Sequence, residues 1–573
     1  MSVTTYDRLP AASRRIRMPG RAGRALEVGR VRLLMTALMF ALGFVAVAGR
    51  LVSVTLLQDE EGPSPARTAA VASDASRAEI VDRNGVLLAT SLPTPSLYAD
   101  ASRVPDAEAA IEQLSAILPD FNAARARLLL ATDRRFVWLH RHLTPRQQDR
   151  INRLGIPGLA FQTEDRRFHP LGNLAAHVVG FTDVDGRGLA GIERSFDETL
   201  NAGEPVRLSL DIRVQEVMRA ELQAAIEEFS AIGGAGLIMN ANTGEILAMV
   251  SLPDFHPYAA GSVPEETRFN RTTLGVYEMG STFKIFTTAM ALDTGIANVR
   301  TPFDATRPIR VGRFAISDYH AQARWLSVAE VFRYSSNIGA VQMALAVGTP
   351  RQQDYLRRLG LLDPAPVELP EVGTPLVPSP WREINTMTIS FGHGLSVSPV
   401  QLVTAVGAVV NGGVLHRPTL LHSDEAPAGE RVLSPQTSDT MRRLLRLVVA
   451  EGTGRNADAA GYLVGGKTGT AEKTQGRGYN RRALLSSFVA AFPMHRPEYV
   501  VLAMLDEPQG TAQTYGYATG GWVAAPVIRR VVERIGPMLG VAPVDAGAEE
   551  IREAMRLDLG QDADTRTASF TRQ

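Results

Sequence analysis

Cysteine is absent from all 573 residues, which excludes disulfides, zinc–thiolate sites and a thiol nucleophile. Lysine is nearly absent: Lys284, Lys467 and Lys473 are the only three among 60 basic residues. Arginine does not give up its proton inside a protein, whereas a lysine amine can be tuned to act as a base. The few retained lysines are therefore candidates for chemistry. Net charge is also absent, at zero, so no global field points to nucleic acid. No metal-ligand spacing and no cofactor motif occurs, and none is expected. With 45% hydrophobic and 21% charged residues the composition is globular, and the length suits about three or four domains.

Charge of one sign is concentrated at the start. Residues 1–32 carry eight arginines against Asp7 and Glu27. An apolar run follows from Leu33 to Gly49, interrupted by Arg50 and resumed to Leu57, with Asp59, Glu60 and Glu61 behind it. Its length suits a membrane-spanning helix, and the asymmetry of charge predicts a cytoplasmic N-terminus with the remainder outside. Ala46-Val47-Ala48 resembles a signal-peptidase site, but the long basic segment and the apolar residues beyond it favour an uncleaved anchor. The reading is a basic tail over 1–32, an anchor over 33–57, a first outer module over 58–204, a second over 205–538 and a loosely ordered tail over 539–573.

In the first outer module, Glu79 to Leu88 reads as a hairpin with Asn84-Gly85 in the turn. Residues 105–155 have apolar side chains at helical spacing, and 156–200 read as Gly-rich and irregular. No convincing catalytic set is present there, so a spacer or docking role is expected. In the second module a helix is predicted over 211–229, and Gly236–Met239 and Glu245–Val250 form a hairpin across Asn242-Thr243-Gly244. Further strands are predicted at Tyr462–Val464, Ser486–Ala491 and Tyr499–Leu505. Hairpins at the ends with helices between them predict an α/β (α+β) domain, an antiparallel sheet with a helical subdomain packed on it.

Three short motifs carry the chemistry. In Gly280-Ser281-Thr282-Phe283-Lys284, a spacing of three on a helix puts the Ser281 hydroxyl beside the Lys284 amine. A serine is a poor nucleophile until a neighbouring base takes its proton. Ser335-Ser336-Asn337 reads as a loop that can present a proton-relaying hydroxyl and an amide to one cleft. In Gly465-Gly466-Lys467-Thr468-Gly469-Thr470, an edge strand flanked by glycines can receive another backbone. There Lys467 supplies positive charge, and Thr468 and Thr470 supply hydroxyl donors for a carboxylate. The backbone N–H groups of Ser281 and Thr470 can form an oxyanion hole. Each motif alone is weak. Together, in this order, about 50 and about 130 residues apart and holding two of the three lysines, they are specific.

This Ser-x-x-Lys, Ser-x-Asn, Lys-Thr-Gly set resembles that of penicillin-binding proteins and serine β-lactamases. The resemblance extends over nearly the whole chain and is to the class B penicillin-binding proteins, in particular the septal, cell-division type. Further matches are Arg77 with Ile80 to Gly85, then His177, Gly180, Gly188, Gly191 and Glu193, and Phe391-Gly392-His393-Gly394 with Pro399, Gln401 and Asn411-Gly412-Gly413. Ala78 stands where a glycine is commoner, and His169-Pro170 where an aromatic–proline pair is commoner.

The resemblance implies a penicillin-binding, β-lactamase-like transpeptidase domain with a five-stranded antiparallel sheet, behind a transmembrane helix and an elongated pedestal. It implies that Ser281 is the acylated nucleophile, Lys284 its base and Ser335 a proton shuttle. Asn337 would position substrate, and Lys467, Thr468, Gly469 and Thr470 would bind the donor carboxylate. The donor would be a peptidoglycan stem peptide ending in D-Ala-D-Ala, and β-lactam antibiotics would acylate the same serine. Implied partners are a membrane glycan polymerase and bitopic division proteins, with no nucleic acid. Implied localisation is the bacterial inner membrane at the septum.

Several rivals share these residues. An elongation-type class B enzyme fits the same motifs, as does a non-enzymatic sensor, although no motif residue is missing. A D,D-carboxypeptidase or β-lactamase-like hydrolase would need an acid placed to activate water, and none is evident. Gly461 to Thr468 also satisfies the phosphate-loop pattern. Its context fails, because polar, Gly-containing turn material follows instead of a helix.

Overall fold

The computed structural model describes residues 76–559 except 313, 426, 476 and 477, together with 35, 38–45, 47 and 48. The chain divides into two units, Met1–Asp74 and Ala75–Gln573. In the first, residues 38–45 are helical, and Leu38, Met39, Phe40, Leu42, Phe44 and Val45 expose their side chains. Among the described residues no helix is long and apolar enough to cross a membrane. The rest of the anchor expected over 33–57 lies largely outside the described residues.

The second unit begins with the expected hairpin, in which β1 (Ile80–Val81) pairs antiparallel with β2 (Leu87–Ala99). Gly85 sits in the turn at φ 82°, and the Asp82 carboxylate accepts the N–H groups of Asn84 and Val86, each at 2.8 Å. The stretch expected to be helical over 105–155 contains α1 (Ala107–Ile117), α2 (Ala123–Leu130) and α3 (Pro145–Asn152), with a strand, β3 (Val137–His140), between the last two. The strand follows from Phe136-Val137-Trp138, whose aromatic and β-branched side chains suit a pleated surface better than a helix. The stretch expected to be irregular contains β4 (Leu159–Phe168), which pairs with β2 over Thr90–Ala99. β5 (Val206–Arg207) closes this sheet by pairing parallel to β1.

Behind β4 lies a buried ionic knot. Glu193, fully buried, receives Arg77 Nε at 2.8 Å and Arg167 Nε at 2.6 Å, and Arg77 also reaches Asp197 at 2.7 Å. Burial pushes the Glu193 carboxyl up, but His169, Arg167 and Arg77 together hold it below the usual carboxylate range. Tyr258, from the second module, ties this knot down: its hydroxyl donates to Arg167 O at 3.0 Å and accepts His169 N–H.

The second module starts with α4 (Ile212–Glu228), whose Asp211 cap accepts the Arg213 N–H. β6 (Gly233–Asn240) and β7 (Ile246–Leu252) follow as the expected hairpin. The helical subdomain includes α5 (Lys284–Asp293), α6 (Val328–Tyr334), α7 (Asn337–Val347), α8 (Pro399–Val410) and α9 (Pro435–Glu451). The chain then returns to the sheet as β8 (Gly465–Gln475), β9 (Gly478–Phe492) and β10 (Tyr499–Asp506). α10 (Ala525–Met538) and α11 (Glu549–Ala554) complete the labelled elements. The sheet is five-stranded and antiparallel throughout, in the order β8-β9-β10-β6-β7.

Alternate strand residues serve opposite faces. Ile238, Phe488, Val501 and Leu505 join α4 and α10 in one core. Leu237, Met239, Val489, Val500 and Leu502 join α5, α8 and α9 in the other. Covering both faces explains the long apolar strands.

Two expectations need correction. Tyr462–Val464 is not a strand; the edge strand starts at Gly465, because Leu463 takes φ 43° and turns the chain into it. The lysine-bearing motif thus lies on an antiparallel edge, which ends the phosphate-loop reading. The segment after 539, expected as a loose tail, is packed through Leu559: Val544, Ile551, Met555 and Leu557 lie against the core, and Arg443 donates to Arg556 O at 3.0 Å. Its apolar residues recur at 551, 555 and 557 among charged ones, a pattern that the acidic composition hides.

Candidate active site

Ser281 does not lie in the α-helix proper but in a 3-10 turn, Gly280–Phe283, that leads into α5. At three residues per turn, side chains at i and i+3 eclipse. That stacks Lys284 directly against Ser281, with Nζ 3.0 Å from Oγ. Gly280 precedes the nucleophile at φ 55°, a left-handed conformation that suits glycine, and a Cβ there would lie 2.5 Å from Thr470 O. The close approach brings the backbones of Ser281 and Thr470 together.

Ser335 and Asn337 were expected on a loop. The loop is minimal: Ser335 caps α6 with φ 59° and ψ 43°, Ser336 caps α7, and Asn337 is the first residue of α7. The turn aims both side chains back at α5. Lys284 Nζ reaches Ser335 O at 2.7 Å, Ser335 Oγ at 3.1 Å and Asn337 Oδ1 at 2.7 Å. Asp318 pins the turn from outside. Its carboxylate accepts Ser336 Oγ–H at 2.7 Å, Asn337 N–H at 2.6 Å and Ile338 N–H at 3.0 Å.

β8 supplies the third wall. Lys467, fully buried, donates to Ser335 Oγ at 2.8 Å and lies 3.4 Å from Thr468 Oγ1. Thr470 Oγ1 accepts the Gly520 N–H at 3.1 Å, which leaves its own proton to donate into the cleft. Gly469 has room for no side chain: a Cβ would lie 2.4 Å from Ser487 Oγ and 2.7 Å from Met279 O. Ser281, Lys284, Ser335, Asn337, Lys467, Thr468, Gly469 and Thr470 are thus held in one contiguous place.

The electrostatics favour a neutral base. Burial, and then the positive charge of Lys467, push the Lys284 amine well below the ordinary lysine range. Ser335 O and Asn337 Oδ1 can only accept, so they take two N–H bonds. An uncharged amine then has its lone pair left for the hydroxyls of Ser281 and Ser335. Burial also lowers Lys467, to about 7. Lys473, the third lysine, belongs elsewhere and pairs with Asp506 at 2.8 Å and Glu507 at 2.7 Å. Among the described residues no cluster of potential metal ligands exists.

Sequence reasoning missed Asp318 and Gly520. Nothing local marks Asp318, because its role exists only once the 302–327 segment folds over α7. Gly520 has no motif signal either, although a Cβ on it would lie 2.5 Å from Gly469 O. Also unforeseen was a cluster of Tyr515, Tyr517 and Trp522, close to this glycine in the chain, with Tyr517 stacked on Trp522 at 6.0 Å.

Comparison with known proteins finds matches along most of the chain. The penicillin binding protein transpeptidase domain model matches residues 234–533, and the penicillin-binding protein dimerisation domain model matches 72–207. The probable peptidoglycan D,D-transpeptidase FtsI of Caulobacter vibrioides is 42% identical over 537 residues, spanning 91% of this chain and 90% of that protein. Peptidoglycan D,D-transpeptidase FtsI of Escherichia coli K12 is 30% identical, over 89% of this chain and 91% of that one. The crystal structure of penicillin binding protein 3 from Mycobacterium tuberculosis complexed with aztreonam superposes with a TM-score of 0.66 at 25% identity, covering 82% of this chain and 98% of that one.

Proposed function

The chain belongs to the class B penicillin-binding proteins, the septal peptidoglycan D,D-transpeptidases, and from that premise we propose that Ser281 is the nucleophile and Lys284 the base that activates it. The carrying observation is the 3.0 Å contact between Ser281 Oγ and a Lys284 amine that burial, with Lys467, holds well below the ordinary lysine range. Lys284 takes the hydroxyl proton as Oγ attacks the penultimate carbonyl of a D-Ala-D-Ala stem peptide. The N–H groups of Ser281 and Thr470 stabilise the developing oxyanion. Ser335, hydrogen-bonded between Lys284 and Lys467, passes the proton to the departing D-Ala nitrogen. Asn337 holds Lys284 in place and positions the substrate amide. Protonated Lys467, with the Thr468 and Thr470 hydroxyls, binds the terminal carboxylate across the backbone of Gly469. An amine from a second stem peptide resolves the ester. A β-lactam enters as a donor mimic and acylates the same serine.

The remaining organisation follows the same reading. Residues 1–32 are a cytoplasmic tail, 33–57 a single membrane anchor, 58–204 the pedestal and 205–538 the transpeptidase domain, displayed outside the inner membrane at the septum. A basic start, the apolar run and the exposed apolar helical residues 38–45 support the anchor. The proposed partners are a membrane glycan polymerase and small bitopic division proteins.

Labelled penicillin tests the site. The purified protein is expected to form a long-lived adduct that Ser281→Ala abolishes. An unlabelled wild-type protein, or a labelled variant, would overturn the assignment.

A further inference from the structure

Cross-linking needs a second proton acceptor. The incoming stem-peptide amine is an ammonium at neutral pH and must lose a proton before it attacks the Ser281 ester. Beside the nucleophile lies a group that the acylation chemistry leaves unused. The 391–394 turn packs against the residue before Ser281: Gly280 N–H donates to Gly392 O at 3.3 Å, and a Cβ on Gly392, at φ 85°, would lie 2.0 Å from Gly280 O. One residue beyond each contact stand His393 and Ser281.

His393 is half-buried, with its ring 5.3 Å from Phe391 and its N–H bonded to Thr388 O at 3.0 Å. Among the described residues, charged groups facing it include Glu278, Glu472 and Lys284. Glu278 lies three residues before the nucleophile and accepts the Gly394 N–H at 2.8 Å. Glu472 follows Thr470 by one strand repeat, so it occupies the same face of β8. The 391–394 turn, the segment before Ser281 and the part of β8 that carries Thr470 and Glu472 therefore converge at the nucleophile's end of the cleft.

On the transpeptidase reading, we propose that His393 is the general base for the acceptor, a primary amine of a second stem peptide, which Glu278 and Glu472 draw in as an ammonium. Burial lowers the imidazole despite the two carboxylates, which favours its neutral form. The ammonium gives one proton to His393, and its lone pair adds to the acyl carbon. The new amide bond forms as the bond from that carbon to Ser281 Oγ breaks, with the electron pair going to Oγ. Oγ recovers the amine's second proton by way of Lys284, and the imidazolium releases its proton to water.

Single-turnover kinetics test this with a preformed acyl-enzyme, made from a thioester analogue of the donor, and D-alanine as the amine. His393→Gln is expected to slow amine-dependent consumption on the order of 100-fold and to erase its acid limb, the fall in rate as pH drops through the imidazole titration. Imidazole in the buffer is expected to restore part of the rate in His393→Ala. Glu472→Gln is expected to raise the half-saturating D-alanine concentration about three- to fivefold at an unchanged limiting rate. Amine-dependent consumption by His393→Gln at the wild-type rate, or with the acid limb intact, would overturn the proposal. A wild-type protein that forms no acyl-enzyme would instead sink the transpeptidase reading.

Discussion

Ser335 holds a left-handed backbone, φ 59°, that a residue with a Cβ adopts at a cost of roughly 1–2 kcal/mol. The conformation ends α6, starts α7 two residues later and leaves a hydroxyl within 3.1 Å of Lys284 and 2.8 Å of Lys467. Glycine would relieve the backbone but would remove the relay. Comparing Ser335→Gly with Ser335→Ala separates the two effects, because both lack the hydroxyl. Both are expected to be acylated far more slowly by penicillin, with Ser335→Gly unfolding at higher denaturant, by about 1 kcal/mol. Equal midpoints would mean that the turn stores no strain. Residues of this kind were legible in part. The type and spacing of Ser281, Lys284, Ser335 and Lys467 singled out side chains that the fold brings together, whereas Asp318, which takes three donors from the same turn, looks like any loop aspartate until the fold places it.

At the scale of elements, the pedestal owes its cohesion to a charge cluster rather than to apolar packing alone. Glu193 sits on a short helix, with Arg77 from the chain entering β1 and Arg167 from β4 converging on it. Removing one member of a buried ionic group leaves the others desolvated and uncompensated, which costs about 3–5 kcal/mol. Glu193→Gln is therefore expected to lower the unfolding free energy by about that amount in denaturant titration. β4 itself escaped the sequence reading for a physical reason. Its side chains, Gln162-Thr163-Glu164-Asp165-Arg166-Arg167, are all polar, and only Arg167 is buried, so no apolar alternation marks it; backbone pairing with β2 makes the strand. Strands β6, β7 and β10 of the second module were readable because both of their faces are buried and their apolar runs are unbroken.

For the molecule as a whole, the order of motifs along the chain foretold a sheet assembled from both ends with helices between, and the five strands follow that plan. The end of the chain was not foretold. α11 and the residues after it lie over α9, with Ile551, Met555 and Leu557 against the main core. α9 in turn packs on β8, where Arg446 donates to Val464 O at 2.8 Å just ahead of the Lys467 motif. A chain ending at residue 545 is expected to lose about 2–4 kcal/mol of stability from that apolar cover, read as a lower denaturant midpoint. An unchanged midpoint would show that the strap contributes nothing to folding.

The scarcity and placement of lysine carry a practical consequence. Amine-directed reagents find few targets on this protein: Lys284 and Lys467 are sealed in the cleft, and Lys473 is a third exposed and held by two carboxylates. Bulky dyes or cross-linkers would attach at the amino terminus or Lys473 and leave the cleft untouched. A small electrophile that fits the cleft would meet in Lys284 an amine that burial holds well below the ordinary lysine range, a selectivity that a surface lysine does not offer.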